Sequence, residues 1–315
     1  MTDQDAFDGL DIAILIPCYN EALTIAEVVR DFRRTLPRAR IFVFDNNSSD
    51  DTATIAARAG ARVVRERRQG KGNVVRRMFA DIDADIYVMA DGDGTYDAAA
   101  APALIAKLIE ERADMVVGTR RGVHEDAGRE GHAFGNRVFN LIYGRLFGRD
   151  FTDIFSGYRA FTRRFAKSFP AVSSGFEIET EMSVHASQLK MPTAELELDY
   201  GRRPEGSHSK LSTFRDGFRI LMMIAMLMKE TRPAVFFGLL AGLFGALSLA
   251  LATPVLAVFL ETGLVPRLPT AVLAMGLMVI AFLFTACGLI LDSVARGRVE
   301  QKRILYLAQA PLAIQ

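Results

Sequence analysis

Two cysteines, four histidines and no tryptophan occur in the 315 residues of this chain. Cys18 lies in an apolar run near one end and Cys287 in another near the other end. Neither has an evident partner, so the sequence offers no disulfide framework and suits a reducing compartment. An excess of charge of either sign is also missing: 38 Lys and Arg against 37 Asp and Glu leave a net charge of +1. No strongly basic domain stands out, which argues against nucleic acid as a partner. No internal repeat and no low-complexity segment is found.

Charge is missing altogether from two stretches. Ala234 to Leu260 and Leu268 to Leu291 contain no Asp, Glu, Lys, Arg or His, and each exceeds the roughly 20 apolar residues that cross a bilayer as a helix. Pro254 lies in the first, a position membrane helices tolerate. Buried helices of a soluble core would show the same composition, but two runs joined by the short link Glu261 to Arg267 point to a membrane hairpin. Lys229, Arg232, Arg296, Arg298, Lys302 and Arg303 flank its outer ends, whereas the link offers Arg267 against Glu261. The positive-inside rule then puts both ends in the cytoplasm. Met1 to Leu10 is acidic and polar and does not read as a signal peptide.

The expected organisation is a cytosolic domain over residues 1–212, an interfacial helix over 213–232, two transmembrane helices within 233–291 (about 234–260 and 268–291) and a basic cytosolic tail over 292–315. The expected location is the plasma (inner) membrane, multi-pass. Phe214, Phe218, Leu221, Met222, Ala225 and Met228 recur at helical spacing beside Arg215, Arg219 and Lys229, the pattern of a helix lying in the interface. Val299 to Ala310 carries a weaker version. The Gly-rich, cationic loop from Tyr200 to Leu211 suits a lid over phosphates, a contact with lipid headgroups, or a plain linker.

The first domain alternates strand and helix. Apolar runs at Ile12–Pro17, Arg40–Asp45, Arg62–Arg65, Asp85–Ala90 and Asp114–Gly118 read as strands. Helical patterns fall between them, at Ala22–Leu36, after Asp50 to Gly60, from Gly70 to about Ile82 and at Ala98–Glu111. Such alternation predicts an α/β fold with a mostly parallel, Rossmann-like sheet and right-handed crossovers.

The fourth strand runs into Asp91-Gly92-Asp93, two carboxylates spaced i, i+2 where the chain leaves the sheet edge. Ligands of open α/β sheets sit at that edge. Carboxylates held so close repel unless a cation lies between them or a proton is retained, and oxygen ligands of this kind suit Mg²⁺ or Mn²⁺. An acidic Asp-Gly turn satisfies the same pattern on its own. Glu66 to Gly72 places cations and glycines at a helix start, where free N–H groups favour anions. Lys71 is therefore a candidate for a diphosphate, with a solvated basic turn as the alternative.

Pro17-Cys18-Tyr19-Asn20-Glu21, Asp45-Asn46-Asn47-Ser48-Ser49-Asp50, Asp91-Gly92-Asp93, Gly118-Thr119-Arg120 and Asp153-Ile154-Phe155-Ser156-Gly157-Tyr158-Arg159 stand in that order. They resemble the ordered signatures of family 2 glycosyltransferases with a GT-A fold, in the branch that glycosylates polyprenyl phosphates. The resemblance covers roughly Ile12 to Ser212, and five motifs in register are far more specific than any one of them. It implies transfer of a single hexose, with inversion, from a nucleotide sugar such as UDP-glucose or GDP-mannose to a polyprenyl phosphate. Processive polysaccharide synthases share this fold but grip their product with a Gln-x-x-Arg-Trp motif, which a chain without tryptophan does not have.

Within that resemblance, Pro17, Tyr19, Asn20, Glu21 and Asp45 line the nucleoside, with Asp45 accepting from the base; Glu21 either reads the nucleoside or only caps the helix that follows, and Asp50 reads as a helix N-cap. Asp93 is the leading metal ligand, and Asp91 shares the metal or holds the ribose. Mg²⁺ or Mn²⁺ is the implied cofactor. Gly94 and Thr95 stand where mannose-synthase relatives carry leucine and glutamine, which leaves the donor sugar open.

On the acceptor side, Arg120 leads, followed by Arg129, His132 and Arg137. A phosphate oxygen is already anionic, so positioning and charge offset matter more than a strong base. Asp153 either holds sugar hydroxyls, acts as a weak base, or pairs with Arg159. Ser156 and Arg159 belong to the same loop, with Ser156-Gly157 close to the sugar. Glu177 and Glu181, i and i+4, share a helix face while Glu179 points elsewhere. The alternatives to this function are transfer to another membrane lipid and a non-catalytic sugar-nucleotide-binding membrane anchor. Homo-oligomerisation is left open.

Overall fold

A computed structural model describes residues 7, 9–121, 151–175, 177–199, 201, 222 and 225–312. The chain divides into two compact units, Met1–Thr213 with Lys302–Gln315, and Phe214–Gln301.

In the first unit, β1 (Ile12–Cys18) is buried along its whole length. It lies between two parallel neighbours, β2 (Arg40–Asp45) and β4 (Ile86–Met89). A strand covered on both faces needs a continuous apolar run, and Ile-Ala-Ile-Leu-Ile supplies it. Beyond β2 lies β3 (Arg62–Arg65), again parallel. The helices between them are α1 (Ile25–Thr35), α2 (Thr52–Arg58) and α3 (Lys71–Asp81). Ile25, Val28, Val29 and Phe32 give α1 a single apolar stripe at the 3.6-residue period, and all four are buried. A 3₁₀ turn at Ala98–Ala100 leads into α4 (Ala101–Glu110) and then β5 (Met115–Arg121).

Two strands lie beyond the five read from the sequence. β6 (Arg159–Thr162) runs antiparallel between β4 and β5, and β7 (Thr193–Asp199) pairs parallel with β5. The sheet order is β3-β2-β1-β4-β6-β5-β7, mostly parallel with one reversed strand. That reversal has a consequence for the site. Arg159 opens β6 opposite Met89, the last residue of β4, so the loop feeding β6 is delivered to the edge where β4 and β5 end. Between β6 and β7 lie α5 (Arg163–Ser168) and α6 (Ile178–Leu189).

The same unit includes the last residues of the chain. Tyr306 donates to Asp114 Oδ2 at 2.7 Å, and Arg164 holds Asp114 Oδ1 at 2.5 Å while its guanidinium lies 4.8 Å from the Tyr306 ring centre. Arg303 donates to the Leu189 carbonyl at the end of α6. The segment read as a weaker interfacial helix thus uses these side chains on the domain itself.

The second unit holds α7 (Pro233–Thr262) and the first part of α8 (Leu268–Leu307), each long and apolar enough to cross a membrane. Pro254 does not interrupt α7, and α8 runs on from its apolar part to Leu307 without a break. Ser248 donates to the Ala274 carbonyl across the pair at 2.6 Å, a polar tie of the kind used between membrane helices. Leu239, Leu243, Leu260, Phe282 and Leu289 are exposed. Of the expected interfacial helix, 213–221 and 223–224 lie outside the described residues, and 225–231 is helical. Residues 202–211 of the Gly-rich loop also lie outside them.

Candidate active site

The chain leaves β4 at Ala90, and Asp91 stands at the carboxyl edge of the sheet with its side chain 28 % exposed. Lys71, the first residue of α3, places Nζ 2.5 Å from Asp91 Oδ1 and 2.5 Å from Glu179 Oε1. Glu179 comes from the first turn of α6 and is buried, and its Oε2 meets no hydrogen-bond partner among the described residues. Burial works against charge on Lys71, but Asp91 and Glu179 outweigh it and hold the side chain as an ammonium. Burial raises the Glu179 carboxyl against the pull of Lys71, and Asp91 adds to the rise.

Asp91 is hemmed in on its other side. A Cβ on Gly157 would sit 2.7 Å from Asp91 Oδ2, so only glycine allows this approach. The Gly157 N–H donates to the Tyr96 hydroxyl at 3.0 Å, and Ser156 donates to the Gly118 carbonyl at 2.5 Å. Burial, then the Asp91 charge, pushes the Tyr96 phenol up, so it stays protonated. Gly92 is likewise required, since a Cβ there would meet Cys18 Sγ at 2.5 Å. Burial pushes the Cys18 thiol well up, aided by the charges of Glu21, Asp91, Asp45 and Asp93.

Asp93 is buried, and its Oδ1 accepts from the Thr95 N–H at 3.1 Å and the Thr95 hydroxyl at 2.6 Å. Thr95 therefore orients the aspartate. Among the described residues no group of three or more His, Cys, Asp and Glu converges. The oxygen donors that could hold a cation are Asp91 and Asp93, a set that fits a hard divalent ion completed by phosphates and water.

The ends of β1 and β2 form the neighbouring wall. Asn20 adopts φ 55°, a left-handed conformation asparagine tolerates. Its Oδ1 accepts the Ser49 N–H at 2.8 Å, while its own N–H donates to Ser48 Oγ at 2.9 Å. Asp45 is buried and accepts the Ser48 N–H at 3.3 Å; Pro17 is buried and Tyr19 lies at the rim. The Glu21 N–H donates to Thr52 Oγ1 at 2.8 Å. Asp50 is not the N-cap, which falls at Asp51; its carboxylate accepts the N–H groups of Ala22 and Thr52 and ties α1 to α2. Asn46 bonds Glu66, Arg68 and Gly70, fixing the basic turn that leads to Lys71. At the start of α3, Gly72 donates to the Ser174 carbonyl at 3.1 Å. That amide is engaged and is not offered to an anion.

On the far side, Arg120 and Asp153 form a bidentate pair at 2.7 and 2.9 Å. Burial alone would raise the Asp153 carboxyl; the Arg120 guanidinium holds it below its usual range instead. The expected Asp153–Arg159 alternative is replaced by this pair. Arg159 is fully buried, and it donates to the carbonyls of Ser156 and Ile154 and to Ser183 Oγ. It props the loop from within. Arg129, His132 and Arg137 lie outside the described residues.

α6 brings Glu179, not the Glu177–Glu181 face, to Lys71. Glu181 accepts the Val172 and Ser173 N–H groups, Glu177 is exposed, and Glu179 is the one that reaches Lys71. A helical wheel shows which residues share a face; the approach of α6 to α3 decides which face meets the site.

A model described as glycosyl transferase family 2 matches residues 13–169. The glycosyltransferase AglJ of Haloferax volcanii is 39% identical over 229 residues, 72% of this chain and 75% of that protein. The dolichyl-phosphate hexose transferase of the same organism is 28% identical over 223 residues, 70% of this chain and 96% of that one. Among solved structures, glucosyl-3-phosphoglycerate synthase of Mycobacterium tuberculosis with Mn²⁺, UDP-glucose and phosphoglyceric acid aligns at a TM-score of 0.58 and 23% identity. That match covers 72% of this chain and 81% of the other, and it establishes the GT-A fold expected from the motifs.

Proposed function

The chain belongs to glycosyltransferase family 2, and from that premise we propose that it transfers one hexose from a nucleotide sugar to a polyprenyl phosphate at a membrane surface. The observation that carries this reading is the layout of one sheet edge. Asp91, Asp93 and Lys71 gather beyond β4, while Arg120 stands at the end of β5, paired with Asp153 from the loop before β6. An edge with carboxylates for a cation and a cation for phosphate suits a nucleoside diphosphate on one side and an anionic acceptor on the other.

Asp91 and Asp93 would hold Mg²⁺ or Mn²⁺, which when bound offsets charge on the leaving nucleoside diphosphate. Asn20 and Asp45 fix the wall offered to the nucleoside, and Lys71 offers an ammonium to the diphosphate. Arg120, held by Asp153, offers its guanidinium charge to a phosphate. Because the acceptor oxygen is already anionic, these residues need to position it and to exclude water; no strong base is required. The two apolar helices would anchor the chain in the bilayer that holds the lipid, with the 1–212 domain on the cytosolic side. The name of the dolichyl-phosphate relative points to the same acceptor class.

The test is direct. Full-length protein in detergent, given UDP-glucose, GDP-mannose or UDP-N-acetylglucosamine with undecaprenyl phosphate, should form one monoglycosylated lipid phosphate of inverted configuration. Equal transfer to diacylglycerol or ceramide would instead assign another membrane lipid as acceptor. Nucleotide-sugar binding without transfer to any lipid would leave the non-catalytic anchor.

A further inference from the structure

Lys71 holds one carboxylate oxygen of the aspartate offered to a metal ion. Its Nζ lies 2.5 Å from Asp91 Oδ1, and a Cβ on Gly157 would lie 2.7 Å from Oδ2, so the loop before β6 runs close to the other oxygen. The same ammonium sits 2.5 Å from Glu179 Oε1, on a side chain 5 % exposed. Two carboxylates therefore share one cation, and they differ in access. Asp91 opens to solvent, where a metal ion or a diphosphate arrives; Glu179 does not.

We propose that Lys71 is an internal competitor of the divalent metal, anchored by Glu179 and released from Asp91 only when a nucleoside diphosphate draws its ammonium away. The inference rests on the metal-dependent reading above and goes beyond it by making metal binding conditional on the nucleotide. The ammonium and a divalent ion cannot occupy one side of Asp91 together, since like charges at that distance repel strongly. A phosphate within reach of Lys71 replaces the carboxylate contact with an equivalent charge-assisted one. Asp91 Oδ1 is then available to the metal, while the Glu179 contact keeps the ammonium within the site. Each ligand thereby raises the affinity of the other, as linkage requires. A long, flexible stem with a compact charge suits a lysine to this exchange.

The probe is Mn²⁺ itself, followed by the paramagnetic resonance of the free ion, with full-length protein in detergent and with UDP or GDP as the nucleotide. Wild-type protein should bind Mn²⁺ at least about tenfold more tightly with one of these nucleotides than without, the scale of one charge-assisted contact. Lys71→Met should tighten Mn²⁺ binding in the absence of nucleotide by about tenfold and reduce the further gain that UDP or GDP brings. Lys71→Gln, which can still donate to Glu179, should do the same, and serves if the methionine variant does not melt cooperatively. If the variants bind Mn²⁺ no more tightly than wild type without nucleotide, or if wild-type affinity is the same with and without it, the competition is overturned. Should wild-type protein bind no Mn²⁺ even with UDP or GDP, the metal-dependent reading fails with it, so the two failures are distinguishable.

Discussion

Gly157 and Asp91 meet so closely that a single methyl group would not fit: the Cβ of an alanine would lie 2.7 Å from Oδ2. The contact couples the loop before β6 to the carboxylate after β4, two segments joined by the antiparallel pairing of Arg159 with Met89. Gly157 therefore sets where Asp91 points without contributing a side chain.

Gly157→Ala should displace Asp91 and lower kcat by about one to two orders of magnitude, given that overpacking a tight contact costs about 1–3 kcal/mol. The melting temperature should fall by only a few degrees, because the displaced carboxylate is partly exposed. Activity within twofold of wild type would show that Asp91 does not need this position.

Asp93 is bonded by Thr95 through both its N–H and its hydroxyl. Asp93→Asn keeps an acceptor for those bonds while removing the charge, so it separates metal binding from local structure. Transfer should fall by about two orders of magnitude or more, and EDTA should abolish wild-type activity until Mg²⁺ or Mn²⁺ is restored. Undiminished turnover in chelator would remove Asp93 and the metal from the reaction.

His185 gives the fold an acid-sensitive element away from this site. It is buried between the rings of Phe165 and Phe169, with Nε2 3.1 Å from Ser168 Oγ. Burial, with Lys302 adding to it, pushes the imidazole down to about 3. The unfolded chain takes up that proton near its ordinary pKa of about 6.5, whereas the folded chain does not, so stability is lost as the pH falls below that value. Between pH 7.5 and pH 5 the loss from this group is about 2 kcal/mol. His185→Leu should flatten the fall in melting temperature over that interval. Glu179, raised by burial, acts with the opposite sign and is common to both proteins. An equal fall in both would mean that His185 titrates like an exposed histidine.

The first five strands and their helices were legible because each carries its own period and ends at a turn signal. The carboxylate pair was legible because Asp-Gly-Asp follows an apolar run directly. β6 was not: four residues headed by an arginine make no strand signal, and its place is set by pairing on both sides. β7 does alternate, Thr193-Ala194-Glu195-Leu196-Glu197-Leu198-Asp199, but its charged positions obscure a strand whose period of two was there to read. Arg159 and Glu179 mark the limit. Arg159 stands in a ligand-like motif and Glu179 in a first helical turn off the Glu177–Glu181 face, and tertiary packing, which no local pattern encodes, buries both.

Arg120 and Asp153 supply the sharpest test of the acceptor. Their bidentate pair aims the guanidinium, so the two residues act as one unit whose members should not be additive. Arg120→Ala removes a charge-assisted contact to phosphate, worth about 1.5–3 kcal/mol, and should lower kcat/KM for undecaprenyl phosphate by about one to two decades. Asp153→Asn keeps the guanidinium but loosens its aim, so its loss should be smaller and should fall on acceptor KM. In the double variant, the Asp153 change should add little, because nothing is left for it to aim. Binding of UDP or GDP should stay within about twofold of wild type throughout, since Arg120 ends β5 and Asp153 precedes β6, whereas Lys71 opens α3. Additive losses would mean that Asp153 contacts substrate directly, and weakened nucleotide binding in Arg120→Ala would move this arginine to the donor side.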